Sequence, residues 1–128
     1  MGCNLKRWTG WSTVMPSPSR GEIWWANLDP TKGREQGGRR PVLIVSTTYF
    51  NTGPADLVFV VPLTRTDRGV PIHVPIQPPE GGVMAPSLIL CDALRSISKE
   101  RLGDRPLGSV STKTMQRVES ILRLLMKL

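Results

Sequence analysis

The chain has 128 residues, with seventeen Lys and Arg against ten Asp and Glu, and a formal net charge of +7. This length predicts a single domain. The twelve prolines and twelve glycines break the sequence into short pieces, which disfavours a helical bundle and favours short strands joined by turns. The basic charge favours polyanionic partners, nucleic acid before acidic protein segments, although a merely basic protein is an equal alternative from charge alone.

The metal-binding side chains are few and scattered. Cys3 and Cys91 do not form a Cys-x-x-Cys pair, and His73 is the single histidine. We therefore expect no metal site and no cofactor. Cys91 ends an apolar run and is predicted to be a buried thiol, which is typical of a reducing cytoplasm. The sequence shows neither a secretion signal nor an apolar run of the ~20 residues that a membrane-spanning helix needs, so a cytoplasmic location is expected.

Residues 1–19 differ from the rest of the chain, because they contain no acidic residue and end in Pro-Ser-Pro-Ser. We interpret them as a disordered or loosely attached extension, either a tag or a segment preceding a natural start at Met15. An alternative is that Trp8 and Trp11 stack on RNA bases. The folded domain is predicted to cover residues 20–128.

Five segments have the composition of strands. The second and third are nearly continuous apolar runs, which is typical of strands buried on both faces. The fourth contains Pro71 and Pro75 and is predicted to lie at a sheet edge, because proline cannot donate to the ladder. Residues 92–97 are expected to continue the fifth strand past a bend. The five segments are residues 22–28, 41–48, 57–63, 70–76 and 87–91.

The last segment is predicted to be a helix with Ser111 as its N-cap. Its apolar residues recur at spacings of three and four and form one helical face, at Met115, Val118, Leu122 and Leu125. Short strands followed by one helix predict a mainly β fold, a small curved sheet or barrel packed on a C-terminal α-helix.

The loop predicted at residues 29–40 concentrates charge. Gly37 and Gly38 let the backbone approach a ligand closely, and Pro41 restrains the backbone of Arg40 while its guanidinium can reach outward. Such a loop suits a phosphate or a phosphorane-like transition state. The alternative is a solvated basic loop, or one that pairs with acidic groups elsewhere. Its charged residues are Lys32, Arg34, Glu35, Arg39 and Arg40.

The segment from Arg20 to Ser46 resembles the N-terminal signature of the MazF/PemK (Kid) toxins, RGEIW followed by LDPT-G-EQGG-RPVLVVS. The resemblance continues through Val61-Pro62-Leu63-Thr64 and Leu90-Cys91-Asp92 and covers residues 20 to 126. It implies an SH3-like barrel of the CcdB/MazF type and a homodimer. It also implies a type II toxin that cleaves single-stranded RNA sequence-selectively and without metal, neutralised by a MazE-like antitoxin. We expect that antitoxin to dock through an acidic segment, because this chain is basic.

A ribonuclease without metal can use the 2′-OH of its RNA as nucleophile, but it must stabilise the phosphorane and protonate the leaving 5′-oxygen. With one histidine, other groups must do this work. The resemblance assigns the catalytic pair to Arg40 and Thr64, with Glu35 as a base or as a residue that orients Arg40. From the sequence alone, the favoured interpretation of Thr64 is a strand-end residue bonded to local backbone, and the resemblance reverses this preference.

Six further residues are predicted to contact RNA. For one of them, His73, a contact with RNA or with a second subunit is considered, but a structural role is favoured, because the sequence shows no obvious acid that would orient its ring. The six are Lys32, Arg34, Gln36, Arg39, Arg65 and His73.

Three positions depart from the family pattern, at Thr47, Ala85-Pro86 and Ala93, where many members have Asn, Asp-Ser and Gln. Loss of these polar side chains, two of them amides, leaves the recognised RNA sequence unpredictable and could weaken the activity. Two alternatives use the same barrel: a gyrase poison of the CcdB type, and a catalytically silent binding module. The gyrase poison depends on a C-terminal Trp-Gly-Ile, whereas this chain ends Met126-Lys127-Leu128.

Overall fold

The computed structural model describes residues 17–29 and 37–128, and within them the chain forms one antiparallel sheet of seven strands followed by a helix. A short helix, α1 (Thr48–Asn51), lies between the second and third strands, and the long helix α2 (Thr112–Met126) follows the last strand. The strands are β1 (Glu22–Asn27), β2 (Arg39–Ile44), β3 (Leu57–Thr64), β4 (His73–Ile76), β5 (Ser87–Leu90), β6 (Arg95–Ser98) and β7 (Leu102–Ser109). The predicted mainly β fold with a C-terminal helix is confirmed.

The strand order is β4-β5-β3-β2-β1-β7, and β6 pairs with β3 beside this path. Strand β3 is the centre of the fold, since its first half pairs with β6, its last two residues pair with β5, and β2 lies along its other edge. The sheet is not closed by a ladder between β4 and β7. Instead, the 3-10 turn Glu80–Gly82 packs against β7, where a Cβ at Gly82 would lie 2.2 Å from the Leu107 carbonyl oxygen.

The sheet is buried on both faces, as the apolar runs predict. Leu43 and Val61 point into a cluster that includes Val118 of α2, whereas Val42 and Ile44 point into a second cluster with Trp24. Successive residues of a strand face opposite sides, so one continuous apolar run contributes to both clusters. The buried β2 and β3 therefore form a rigid platform for the residues at their ends.

Helix α2 begins as predicted, with the Ser111 hydroxyl accepting a hydrogen bond from the Thr114 amide at 3.1 Å. The Glu80 carboxylate accepts from the Ser111 amide and the Thr114 hydroxyl. Burial alone would raise the pKa of Glu80, but these hydrogen bonds outweigh it and hold the pKa below its ordinary value. Val118 is fully buried, while Leu125, predicted on the same face, is 46% exposed.

Two strands differ from the prediction. β7 has the composition of a loop, with two glycines and a proline, yet it pairs with β1 through two register shifts that accommodate these residues. Residues 92–97 do not continue β5, because the 3-10 turn Cys91–Ala93 redirects the chain to form β6 on β3. The number of strands was thus underestimated.

Three strand boundaries also differ from those predicted from the sequence. Strand β2 begins at Arg39, so the predicted loop was two residues too long at this end. It ends at Ile44 instead of residue 48, because Thr47 caps α1. Strand β4 lies at the sheet edge as predicted but begins only at His73, after Pro71.

Of the predicted extension, residues 1–16 lie outside the described residues. Pro18 is buried, and its carbonyl accepts a hydrogen bond from the Asn51 side chain at 2.9 Å. The Ser19 amide donates to Glu22 at 2.7 Å. The end of the segment is therefore attached to the sheet, while a boundary at residue 19 stays a prediction. In the part of the chain described, no helix has the length and apolar character to span a membrane.

Candidate active site

The register between β2 and β3 determines the position of Arg40. Val42 lies opposite Pro62, and Leu43 lies opposite Val61. Continued by two residues, this antiparallel register places Arg40 opposite Thr64, and directly opposed side chains lie on the same face of a sheet. The structure thus brings together the two residues that the sequence predicts as the catalytic pair.

The guanidinium of Arg40 is fixed at two points. Its Nε donates to the Gly37 carbonyl at 3.0 Å, and Nη1 donates to the Leu63 carbonyl at 3.3 Å. The second contact holds the guanidinium against the main chain immediately before Thr64. Two backbone anchors restrict the rotamers of a long side chain, so Arg40 would lose little further entropy on binding an anionic ligand.

Thr64 ends β3 and is half-buried. Its Oγ1 accepts a hydrogen bond from the Thr66 amide at 3.2 Å, which is the local backbone contact considered as the alternative to a catalytic role. This contact orients the hydroxyl and uses only one of its lone pairs, so the proton can still be donated to a ligand. The local bond and a catalytic role are therefore compatible.

Thr64 lies in a groove of about 820 Å³. The lining includes two cations, Arg68 and Arg95, and several apolar side chains. The residues lining the groove are Thr64, Thr66, Arg68, Val70, His73, Leu90, Asp92, Ala93, Leu94 and Arg95. A groove of this size and charge suits an extended polyanion.

His73 has the orienting acid that the sequence did not show. Its Nε2 lies 3.1 Å from Oδ1 of Asp92, and the His73 side chain is only 8% exposed while that of Asp92 is 49% exposed. The expectation that no acid orients the ring was therefore wrong. The two residues are nineteen positions apart and meet because β4 pairs with β5, with His73 opposite Leu90.

Arg95 and Asp92 are groove residues that the sequence analysis did not single out. Nη1 of Arg95 is buried without a hydrogen-bond partner among the described residues, and the same holds for Nδ1 of His73. The signal that could have revealed Arg95 is its place in the Leu94-Arg95-Ser96-Ile97 stretch, but its burial depends on the unpredicted turn into β6.

The remaining predicted residues are distributed differently. Arg39 is exposed, and because it neighbours Arg40 in a strand its side chain points to the opposite face. Arg65 is exposed just after β3 and does not line the groove. Lys32, Arg34, Glu35 and Gln36 lie outside the described residues, so their roles stay predictions. Gly38 adopts a φ of +76°, and its amide donates to Asp29 at 2.8 Å.

Cys91 is a buried free thiol, as predicted. Burial and the neighbouring Asp92 carboxylate raise its pKa to about 11, although Arg117 opposes the shift. The thiol is therefore protonated at neutral pH and is a packing residue. Within residues 17–29 and 37–128, no three His, Cys, Asp or Glu side chains converge to hold a metal ion.

Comparison with known proteins identifies the family. Over residues 19–126 the sequence matches the family model of the PemK-like, MazF-like toxin of type II toxin-antitoxin systems. It is 32% identical over 106 residues to Endoribonuclease EndoA of Bacillus subtilis, covering 82% of this chain and 90% of that protein. It is 30% identical over 108 residues to Endoribonuclease toxin MazF of Escherichia coli, covering 84% and 93%.

Solved structures of MazF proteins have the same fold as this chain. MazF from Deinococcus radiodurans superposes with a TM-score of 0.79 at 29% identity, covering 88% of this chain and 99% of that one. A MazE–MazF structure from the same organism gives a TM-score of 0.72 at 30% identity, covering 88% and 98%. The chain belongs to the PemK-like, MazF-like family of type II toxins.

Proposed function

We propose that the protein is a sequence-selective endoribonuclease toxin that cleaves single-stranded RNA with Arg40 and Thr64 and without a metal ion. The observation that carries this proposal is the β2–β3 register, which extends to Arg40 opposite Thr64, together with the contact of Arg40 with the Leu63 carbonyl and the position of Thr64 in the groove lining. Relatives at 30% and 32% identity are named endoribonucleases, and this supports the same activity here.

In the proposed reaction, the 2′-oxygen of one nucleotide attacks the adjacent phosphorus while the bond from phosphorus to the 5′-oxygen breaks. The products are a 2′,3′-cyclic phosphate and a 5′-hydroxyl. Arg40 donates hydrogen bonds to the phosphate oxygens and a proton to the leaving oxygen, since a forming alkoxide is basic enough to accept one from a guanidinium. Thr64 donates to the developing negative charge.

Glu35 is proposed as the group that takes the 2′-OH proton or orients Arg40. Lys32, Arg34, Gln36, Arg39 and Arg65 are proposed to attract the RNA backbone around the groove. Arg39 and Arg65 would act from exposed positions, since both are exposed and neither lines the groove; Arg40 does not line it either, but contacts the main chain beside Thr64, which does.

The test is incubation of the purified protein with a long RNA in the presence of EDTA. We expect discrete fragments with 5′-hydroxyl ends, labelled by polynucleotide kinase without prior phosphatase treatment. The matched control is Thr64→Val, which keeps the β-branched shape but removes the hydroxyl. A requirement for divalent metal, or 5′-phosphate ends, would contradict the proposed chemistry.

The other functions considered for this barrel are less well supported. The gyrase-poison function and the silent binding module do not agree with relatives named endoribonucleases, nor with a catalytic pair held in register. Tight RNA binding by the wild-type protein without product would favour the silent module, and gyrase-dependent DNA cleavage complexes would favour the poison.

A cognate MazE-like antitoxin is the proposed protein partner. The structure from Deinococcus radiodurans contains MazE with MazF, and the net charge of +7 here suits an acidic docking segment. Co-expression with a cognate antitoxin that carries an acidic docking segment should abolish RNA cleavage and yield a stable complex on gel filtration.

A homodimer is also proposed, through an apolar groove of about 450 Å³ beside α2. Phe59, Met126 and Leu128 line this groove and are respectively 41%, 48% and 83% exposed. A two-fold interface is self-complementary, so a second copy offers a matching apolar surface. Light scattering on the purified protein should give twice the chain mass.

Because RNA and the reduced thiol of Cys91 both fit the cytoplasm, the toxin is proposed to act there.

A further inference from the structure

The part of the groove lined by His73, Asp92 and Arg95, here called the wall, holds an unusual set of polar groups. His73 is nine-tenths buried, its Nε2 contacts Asp92, and its Nδ1 has no partner among the described residues. Nη1 of Arg95, in the same wall, also has none. Buried polar atoms are nearly always hydrogen-bonded, so two such atoms in one groove point to a ligand that supplies their partners.

These groups lie beside the reacting phosphate and not on it. Thr64 is opposite Leu88 in β5, while His73 is opposite Leu90 from the other side of that strand. With strands ~4.8 Å apart and a rise of ~3.4 Å per residue, the Cα atoms of Thr64 and His73 are roughly 12 Å apart. The short threonine side chain does not close that gap, so the wall meets a part of the RNA next to the cleaved bond.

The charges of the wall favour a base over a phosphate. Asp92 is half-exposed in the groove and contacts His73, so a phosphate placed there would meet a carboxylate. A base edge, in contrast, carries both donors and acceptors, which match the acceptors of Asp92 and the donors of Arg95. Leu90, Ala93 and Leu94 provide apolar surface for the flat face of a base.

We infer that His73, Asp92 and Arg95 form a subsite that reads one nucleobase next to the cleaved bond, with Asp92 positioning the His73 ring. This inference rests on the proposed function, since it assigns sequence selectivity to the same groove. Ala93 offers no hydrogen bond, so discrimination falls on the imidazole, the carboxylate and the guanidinium. The ligand class is a nucleobase of single-stranded RNA.

The test compares cleavage profiles on a randomised RNA pool, read by sequencing the 5′ ends, for the wild type, His73→Phe and Arg95→Met. Both substitutions keep the approximate shape and remove the polar group. We expect each to lose selectivity at one nucleotide position by about ten-fold or more, while total cleavage of the pool continues. Asp92→Asn should weaken selectivity at that same position, and Asp92→Glu should retain part of it.

The Tm of the variants distinguishes a ligand-binding role from a purely structural one. Replacement of an unpartnered buried polar group by an apolar group of similar shape costs little or stabilises, so the Tm of Arg95→Met should stay the same or rise. A residue needed only for folding would instead lower the Tm without changing the base profile. That result would contradict the inference.

The matched control is Arg68→Ala, which removes an exposed cation from the same groove. It should raise KM for all sequences to a similar extent and leave the base profile unchanged, as a phosphate contact does. If His73→Phe and Arg95→Met gave this uniform pattern, or no change in profile, the subsite would not read a base.

Failure of the proposed function is distinguishable from failure of this inference. If the wild type does not cleave RNA, the same pool is selected for binding and the enriched sequences are compared between variants. Enrichment of one base, lost in His73→Phe and Arg95→Met, would support the subsite even in a non-cleaving protein. Binding without base preference would overturn it.

Discussion

Two regions at the groove are built in different ways. Arg40 and Thr64 lie at the ends of two paired, buried strands, so their proximity follows from one antiparallel register. The wall brings His73 from the edge strand together with Asp92 from a 3-10 turn and Arg95 from the strand after it. Arg40 is anchored through backbone contacts to Gly37 and Leu63, whereas the wall has two buried polar atoms without partners among the described residues. The difference separates a pre-organised pair, proposed to be catalytic, from a wall that is proposed to bind a ligand.

The largest expected effect is at the proposed catalytic pair. Arg40→Ala removes the guanidinium that stabilises the phosphorane, and we expect the cleavage rate at saturating RNA to fall by about 10²–10³-fold or more. Single-turnover kinetics on a short RNA measure this directly. Arg40→Lys is the control for charge alone, because lysine lacks the planar fork. Full activity in the lysine variant would mean that bidentate contact is unnecessary.

Thr64→Val should reduce the rate by about 10²-fold through loss of one hydrogen-bond donor, while Thr64→Ser should retain most of it. The strand remains stable in both, since valine and threonine have similar β propensity. The measurement is kcat for each variant, with Tm as a check on folding. Equal rates for the wild type and Thr64→Val would remove the hydroxyl from the mechanism.

Substitutions in the wall are expected to have a smaller effect, and to change base selectivity more than kcat. In Asp92→Asn the carboxylate that orients His73 becomes an amide, so we expect several-fold loss of selectivity at one base position, with kcat on the best substrate changed less than three-fold. An Asp92→Asn variant with a hundred-fold lower kcat and unchanged selectivity would show that the wall contributes to catalysis and not to base selection.

The smallest effect concerns the support of helix α2. Because hydrogen bonds hold the Glu80 pKa below its ordinary value, this carboxylate stabilises the folded state above its unfolded pKa, and the contribution is lost as pH falls through the folded value. Glu80→Gln should cost about 1 kcal/mol at neutral pH and nothing once the wild-type carboxyl is protonated. Thermal unfolding between pH 3 and 7 measures this; a difference that persists at the acidic end would contradict it.

The same contrast explains what could be predicted from the sequence. The runs at residues 41–48 and 57–63 are long enough to predict two doubly buried strands, and Arg40 and Thr64 lie at their adjacent ends. The amphipathic pattern from Met115 predicted helix α2. These features are local, and the family resemblance assigned the catalytic pair on them.

The wall, in contrast, is formed by contacts between segments that are distant in the sequence. The pairing of His73 with Asp92 requires the β4–β5 register, and the position of Arg95 requires the turn Cys91–Ala93, which was predicted as a bend in a continuous strand. Strand β7 escaped prediction for a related reason: its glycines and proline indicate a loop, and only pairing with β1 makes them a strand. Hydrogen bonds between distant segments leave no periodic pattern in the sequence.

The most direct test of the central claim is to sequence the 5′ ends that the purified protein generates on a long RNA in EDTA, beside Arg40→Ala and Thr64→Val. Catalysis by the Arg40–Thr64 pair predicts recurrent cleavage at one short sequence by the wild type and loss of those ends in both variants, with their folded structure retained. Undiminished cleavage by either variant, or the absence of cleavage by a folded wild-type protein, would contradict it.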